Sequence, residues 1–164
     1  FAGLTCVDEH AASGARYVVI GDLGETWDFR TLNRAFRLLH SNTEAELIAL
    51  GMTKYWEAPD GLSLDVAPFV AALEHAARRK AVVFGKPARA CLKMASEQVR
   101  VRTAEILRVG DDIEIDVAGA QQAGLKGALV KTGKFRPTDL EGGFKPDVVL
   151  DSVADLRVWW ERYG

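Results

Sequence analysis

Short apolar, mostly β-branched runs alternate with helix-length amphipathic segments along this chain, and that rhythm admits few architectures. "YVVI" (Tyr17–Ile20) reads as a strand. The next segment, 28–40, carries Leu32, Ala35, Phe36 and Leu39 at helical spacing, with Asp28 as N-cap. "ELIAL" is the next strand, and Pro59-Asp60-Gly61 is turn chemistry. A second helix is predicted over 65–80, with an apolar stripe of Val66, Phe69, Val70, Leu73 and Ala77 and a basic end at Arg78-Arg79-Lys80. Then come "AVVF" (strand), "KPARACLKMASEQ" (helix), "EILRVG" (strand), "IEIDVAGAQQAG" (helix), "KGALVK" and "DVVLDS" (strands) and "VADLRVWWERY" (helix). "TGKFRPTDLEGGFKP" is a long loop, and no internal repeat or low-complexity segment interrupts the pattern. Strands that alternate with helices call for an α/β fold with a Rossmann-like parallel sheet covered on both faces.

At 164 residues such a chain holds one core, or one core and a smaller lobe. A formal charge of -2 argues against a general nucleic-acid or membrane-surface binder. No apolar run approaches membrane-spanning length, and no signal-peptide pattern opens the chain. Cys6 and Cys91 are too few for a disulfide framework and have no metal-ligand spacing, so two free thiols in a reducing cytoplasm are expected. The chain opens at Phe1 without an initiator Met, which reads as a fragment of a longer protein.

In open parallel sheets ligands gather at the carboxyl ends of strands. Two polar clusters are predicted there. Gly110-Asp111-Asp112 follows "EILRV", with Glu114 and Asp116 close behind. Four acids in so short a span repel one another unless a helix start, solvent or a cation compensates. Hard carboxylate oxygens suit Mg²⁺, which takes one or two of them and leaves other positions to water and phosphate. The plainer alternative is acids that cap a helix and favour its positive end, worth about 0.3–1 kcal/mol each. The second cluster is Gly85-Lys86-Pro87. Lys86 is expected in the first turn of a helix, where the dipole disfavours a cation unless an anion sits there too; Pro87 suits that position. An exposed lysine in water is the alternative. Together the clusters suggest a phosphate and its divalent ion.

The remaining candidates are weaker. His10, His40 and His75 have no ligand spacing. Cys91 reads as a small buried side chain. Of Trp159 and Trp160, one is expected in the core and the other at the surface, and neither has the basic surroundings of a base-stacking residue. Phe135-Arg136 lies in the long loop, where gating a site is the alternative to plain surface.

"VVFGKP" and "RVGDDIEIDVAGAQQAGLKGALVKTGKFR" resemble the third and fourth motifs of the haloacid dehalogenase-like (HAD) phosphatase superfamily. "LNRAFRLL", "LIAL" and "DGLSLDVAPFVAALEHA" are similar to its NagD-like branch, which carries a large α/β cap. The resemblance implies a partial HAD-like core, 65–164, and a partial cap, 1–64. It also disposes of "VVIGDLGETWDF", which mimics the family's aspartate nucleophile strand: in that alignment Asp22 falls inside the cap, and Gly24 stands where a proton-relaying acid belongs. The family's nucleophile Asp, acid/base Asp and second-motif Ser/Thr have no match here. Asp65 and Ala67 stand where glycines are usual, at the return from cap to core.

What the resemblance implies is a Mg²⁺-dependent phosphatase of small phosphorylated molecules. An aspartate would attack phosphorus, and water would hydrolyse the aspartyl-phosphate. Asp111 would bind Mg²⁺, Asp116 would complete or orient the acidic site as a metal and catalytic residue, and Asp112 would support it. Lys86 would hold the phosphate and the nucleophile's carboxylate. The supplied chain alone is expected to be inactive. No nucleic acid or membrane partner is expected, and a homodimer is left open. The rival is a non-catalytic pseudo-phosphatase or interaction domain on the same scaffold. A Rossmann-like nucleotide binder ranks last, because no G-x-G-x-x-G follows a strand.

Overall fold

Strand β1 (Tyr17–Ile20) turns Val18 and Ile20 into a core and leaves Tyr17 and Val19 outward, the alternation of a half-buried strand. Helix α1 (Phe29–His40) starts where the Asp28 carboxylate accepts the Thr31 N–H at 2.7 Å. Hydrogen bonds from Thr31 hold the Asp28 carboxyl below its ordinary pKa. The helix buries Ala35, Leu38 and Leu39, with Leu32 and Phe36 partly buried against the same core. Strand β2 (Glu46–Ala49) follows, then β3 (Tyr55–Ala58) and β4 (Gly61–Leu64), which form a two-stranded sheet around Pro59-Asp60. The sequence read only a turn there, because the flanking residues are largely exposed and carry no alternation. Helix α2 (Val66–Ala77) is capped by Asp65, whose carboxylate accepts the Val66 N–H at 2.6 Å. It ends on Arg78 in the left-handed region, φ 52°. Strand β5 (Val82–Val83) completes a parallel sheet of order β1-β2-β5.

The model, a computed structural model, describes residues 3–86 and 88–163. Its packing divides them into two units: Phe1–Tyr55 with Leu64–Phe84, and Trp56–Ser63 with Gly85–Gly164. The sequence-based division at 64/65 differs from this. Segment 65–84 packs with the first unit because Val66, Val70 and Leu73 share a core with Val18, Leu39 and Leu47, and β5 hydrogen-bonds to β2.

In the second unit α3 (Arg89–Val99) leads to β6 (Leu107–Gly110), a π-helix (Ile113–Ala118) that runs into α4 (Gly119–Gln122), β7 (Lys126–Val130), β8 (Val148–Leu150) and α5 (Leu156–Tyr163). The sheet order is β6-β7-β8, all parallel, so β7 is central and β6 and β8 are edges. Gly127, Ala128, Leu129 and Val130 are buried in succession, as a strand covered on both faces requires. The π-helix lies so close to β7 that a Cβ on Gly127 would meet Val117 Cγ1 at 2.9 Å and Val117 O at 3.1 Å. Asp147 ties β7 to the loop before β8, accepting from the Gly127 N–H at 2.8 Å and the Gln121 amide at 3.0 Å. The Gly127 bond, ahead of the Gln121 bond, holds its carboxyl below the ordinary range.

Helix α5 buries no residue: Trp159 is half-buried and Trp160 exposed, so the expected core tryptophan is absent. Trp159 packs instead on its helical neighbours Trp160 and Tyr163. Cys6 is exposed and Cys91 half-buried, both as free thiols. Among the described residues no helix is long and apolar enough to cross a membrane.

Candidate active site

The chain leaves β6 at Gly110 and enters the π-helix through Asp111-Asp112. Asp112 caps that helix: its Oδ1 accepts the N–H of Glu114 at 3.1 Å and of Ile115 at 2.9 Å. The wide ring shows in the Val117 N–H, which reaches Asp112 O at 3.3 Å beside the Asp116 N–H at 2.9 Å. This path folds Asp116 back onto β6. A Cβ on Gly110 would overlap the Asp116 carboxylate, so glycine is required at the strand tip. The sequence read one continuous helix here; the π-helical turn is what aims Asp116 inward.

Asp116 is among the few buried charged residues, with its side chain 10% exposed. Its Oδ1 accepts from the Arg108 guanidinium, whose side chain is 12% exposed. The Lys86 ammonium stands 3.6 Å from the same oxygen. Asp112 Oδ2 pairs with Lys134 Nζ at 3.3 Å. Asp111 Oδ2 accepts the Lys134 N–H at 2.8 Å, across Gly133, where φ is +58° and a Cβ would strike that carboxylate. The acids along 111–116 are thus compensated largely by the chain's own cations and amides.

Lys86, Asp111 and Asp116 line one cavity of about 520 Å³ together with Arg108. Asp112 is turned to the helix start and Lys134. Lys86 lies in a turn, and α3 begins only at Arg89, so the first-turn placement expected for it is not found. Pro87 lies outside the described residues. Asp22 caps its own loop, accepting the Gly24 N–H at 2.8 Å. His40 and His75 are exposed on α1 and α2.

Sequence reasoning missed Arg108 and Lys134. Arg108 left a signal, an arginine inside the apolar run "EILRVG", where burial requires a counter-ion. Lys134 left none beyond its place in the long loop. Arg108→Met should cost about 3 kcal/mol in a denaturant unfolding titration, the low end for breaking a buried pair, because Lys86 still faces Asp116. A loss under about 1 kcal/mol would mean that Asp116 is not held by Arg108.

Residues 83–156 match the family model described as "HAD-hyrolase-like". Over 148 residues the chain is 39% identical to human phospholysine phosphohistidine inorganic pyrophosphate phosphatase, covering 90% of this chain and 54% of that protein. It is 42% identical over 139 residues to haloacid dehalogenase-like hydrolase domain-containing protein 2 of Bos taurus, covering 85% of this chain and 51% of that protein. The chain is thus similar to the haloacid dehalogenase-like family, by the family model over residues 83–156 and by these relatives over most of its own length. It spans about half the length of the curated relatives it matches. Among solved structures, a 4-nitrophenylphosphatase from Thermotoga maritima superposes with a TM-score of 0.79 at 29% identity, over 92% of this chain and 56% of that one.

The HAD-like resemblance implies Mg²⁺, and the donors here bear on its fit. Among the described residues no group of three or more His, Cys, Asp or Glu could hold a metal. Mg²⁺ asks the protein for only one or two carboxylates, however. Asp111 and Asp116 line the same cavity, and Asp111 Oδ1 has no hydrogen-bond partner among the described residues. The donor set fits a Mg²⁺ ion that takes its other ligands from water, phosphate and further carboxylates.

Proposed function

We propose that this chain carries the metal- and phosphate-binding part of a Mg²⁺-dependent phosphatase acting on small phosphorylated molecules. The observation that supports it is the meeting of Lys86 with Asp111 and Asp116 on one cavity. Asp111 is the foremost Mg²⁺ ligand. Asp116, bound by Arg108, orients Lys86 and completes the acidic site, and Asp112 supports it by fixing the helix start. Bound Mg²⁺ would neutralise phosphate charge that otherwise opposes attack by an anion. Lys86 has its ammonium near the cavity and its side chain 60% exposed, so it can reach a phosphate oxygen while Asp116 anchors it. An aspartate from outside these residues would form the phosphoenzyme. The first unit is proposed as the cap that selects substrate. Two free thiols favour a cytoplasmic setting.

The test is hydrolysis of 4-nitrophenyl phosphate by the intact protein that contains this chain, with and without Mg²⁺. Lys86→Met should lower kcat/KM about 10²–10³-fold, the range for losing one preorganised charge partner of the transferring group. Full activity in that variant, or a wild-type protein with no Mg²⁺-dependent turnover, would defeat the proposal.

A further inference from the structure

A second cluster of cations lies in the first unit, on one face of α1. Arg30, Arg34 and Arg37 stand at i, i+4 and i+7, the spacing that places side chains on one side of a helix. With Asn33, Glu9 and His10 they line a cavity of about 310 Å³. Like charges so stacked repel one another along the helix. Nothing on the cavity wall relieves them: Glu9 is the one carboxylate among the lining residues, and it faces His10 at 3.3 Å. Of the neighbouring carboxylates, Asp8 accepts the His10 N–H at 2.8 Å, and Asp28 accepts the Thr31 N–H at 2.7 Å and feels the charge of Arg30 without forming an ion pair with it. Arg30 and Arg37 are exposed and make no ion pair among the described residues. Arg34 is fixed by donating to the Asp8 carbonyl at 2.7 Å, and its Nε is buried without a hydrogen-bond partner. That buried donor is left unpaired, so among the described residues the hydrogen bond to Asp8 alone holds Arg34 in place.

We propose that this face of α1 binds a small molecule bearing two phosphate groups, at a site separate in its residues from the Lys86 cavity. Guanidinium forks match phosphate oxygens in pairs. From Arg30 to Arg37 the helix rises roughly 10 Å, at ~1.5 Å per residue, which is more than one phosphate spans. Two anionic groups are therefore needed to engage all three arginines, and the Asn33 amide supplies a neutral donor beside them.

The test is calorimetric titration of the full chain with inorganic pyrophosphate and, separately, inorganic phosphate. It is carried out in Lys86→Met, which removes the phosphate-holding ammonium of the other proposed site and leaves there only Arg108, already paired with Asp116. That variant should still bind one pyrophosphate, and more tightly than phosphate. Adding R30Q and R37Q, both exposed, should leave the chain folded in a thermal melt and weaken pyrophosphate binding by at least about tenfold, as loss of charge-assisted hydrogen bonds predicts. No pyrophosphate binding to Lys86→Met would overturn the proposal, and so would equal affinity after the arginines are removed. Wild-type turnover of 4-nitrophenyl phosphate is read independently, so failure of the phosphatase reading is distinguishable from failure of this one.

Discussion

Asp111→Asn, made in the intact protein, is expected to abolish Mg²⁺-dependent turnover while leaving the fold in place. Asparagine keeps the size of the side chain and an oxygen that can accept the Lys134 N–H, as Asp111 does in the structure. What it loses is the negative charge that would draw a divalent ion into the cavity. Mg²⁺ held by so few protein carboxylates depends heavily on each of them. The expected fall in kcat is about 10³-fold or more, equivalent to over about 4 kcal/mol of barrier, with stability changed by less than about 1 kcal/mol. Initial rates across a Mg²⁺ titration, with a thermal melt alongside, separate the two effects. Undiminished activity would refute the assignment of Asp111.

Gly110→Ala should be the most damaging small substitution in the second unit. The added methyl would occupy the space of the Asp116 carboxylate, which is buried and bonded to Arg108. Either β6 moves away from the π-helix or Asp116 swings out. The first costs packing; the second strands a buried guanidinium. A loss of about 4 kcal/mol in denaturant unfolding is expected, which combines overpacking with a broken ion pair. Combining Gly110→Ala with Asp116→Ala should cost less than the sum of the two single losses, because Asp116→Ala removes the clash while Arg108 is left without Asp116 only once. Strict additivity of the two substitutions would show that the close approach is not the cause.

Much of this was legible in the sequence where a residue's role is local. Asp28 and Asp65 cap their helices, and the short apolar runs that include 17–20, 107–110 and 126–130 are strands. Val66, Val70 and Leu73 were readable as a buried stripe; their partner was not, because periodicity says which face is apolar and nothing about what covers it. The sequence division at 64/65 differs from the packing division for that reason. Lys86 meets Asp111 and Asp116 on one cavity, but not through the shared strand tips that suggested it: β5 pairs with β2 in one sheet, β6 with β7 in another, and Asp116 stands in the π-helix. Arg108 was not foreseen: only the tertiary fold shows that its guanidinium meets Asp116, eight residues on. Nor was the π-helix, since its wider turn needs only one extra residue per ring and leaves the apolar pattern nearly unchanged.

Among the described residues, β6, which ends at Gly110, has a neighbouring strand on one side only. Its outer amides and carbonyls form a ready template for a further strand, and no proline or lysine within Leu107–Gly110 guards them. A strand added there would run alongside the acidic turn, so whatever occupies that margin also gains a place beside the cavity. Left open, the same margin can pair with another copy of the chain.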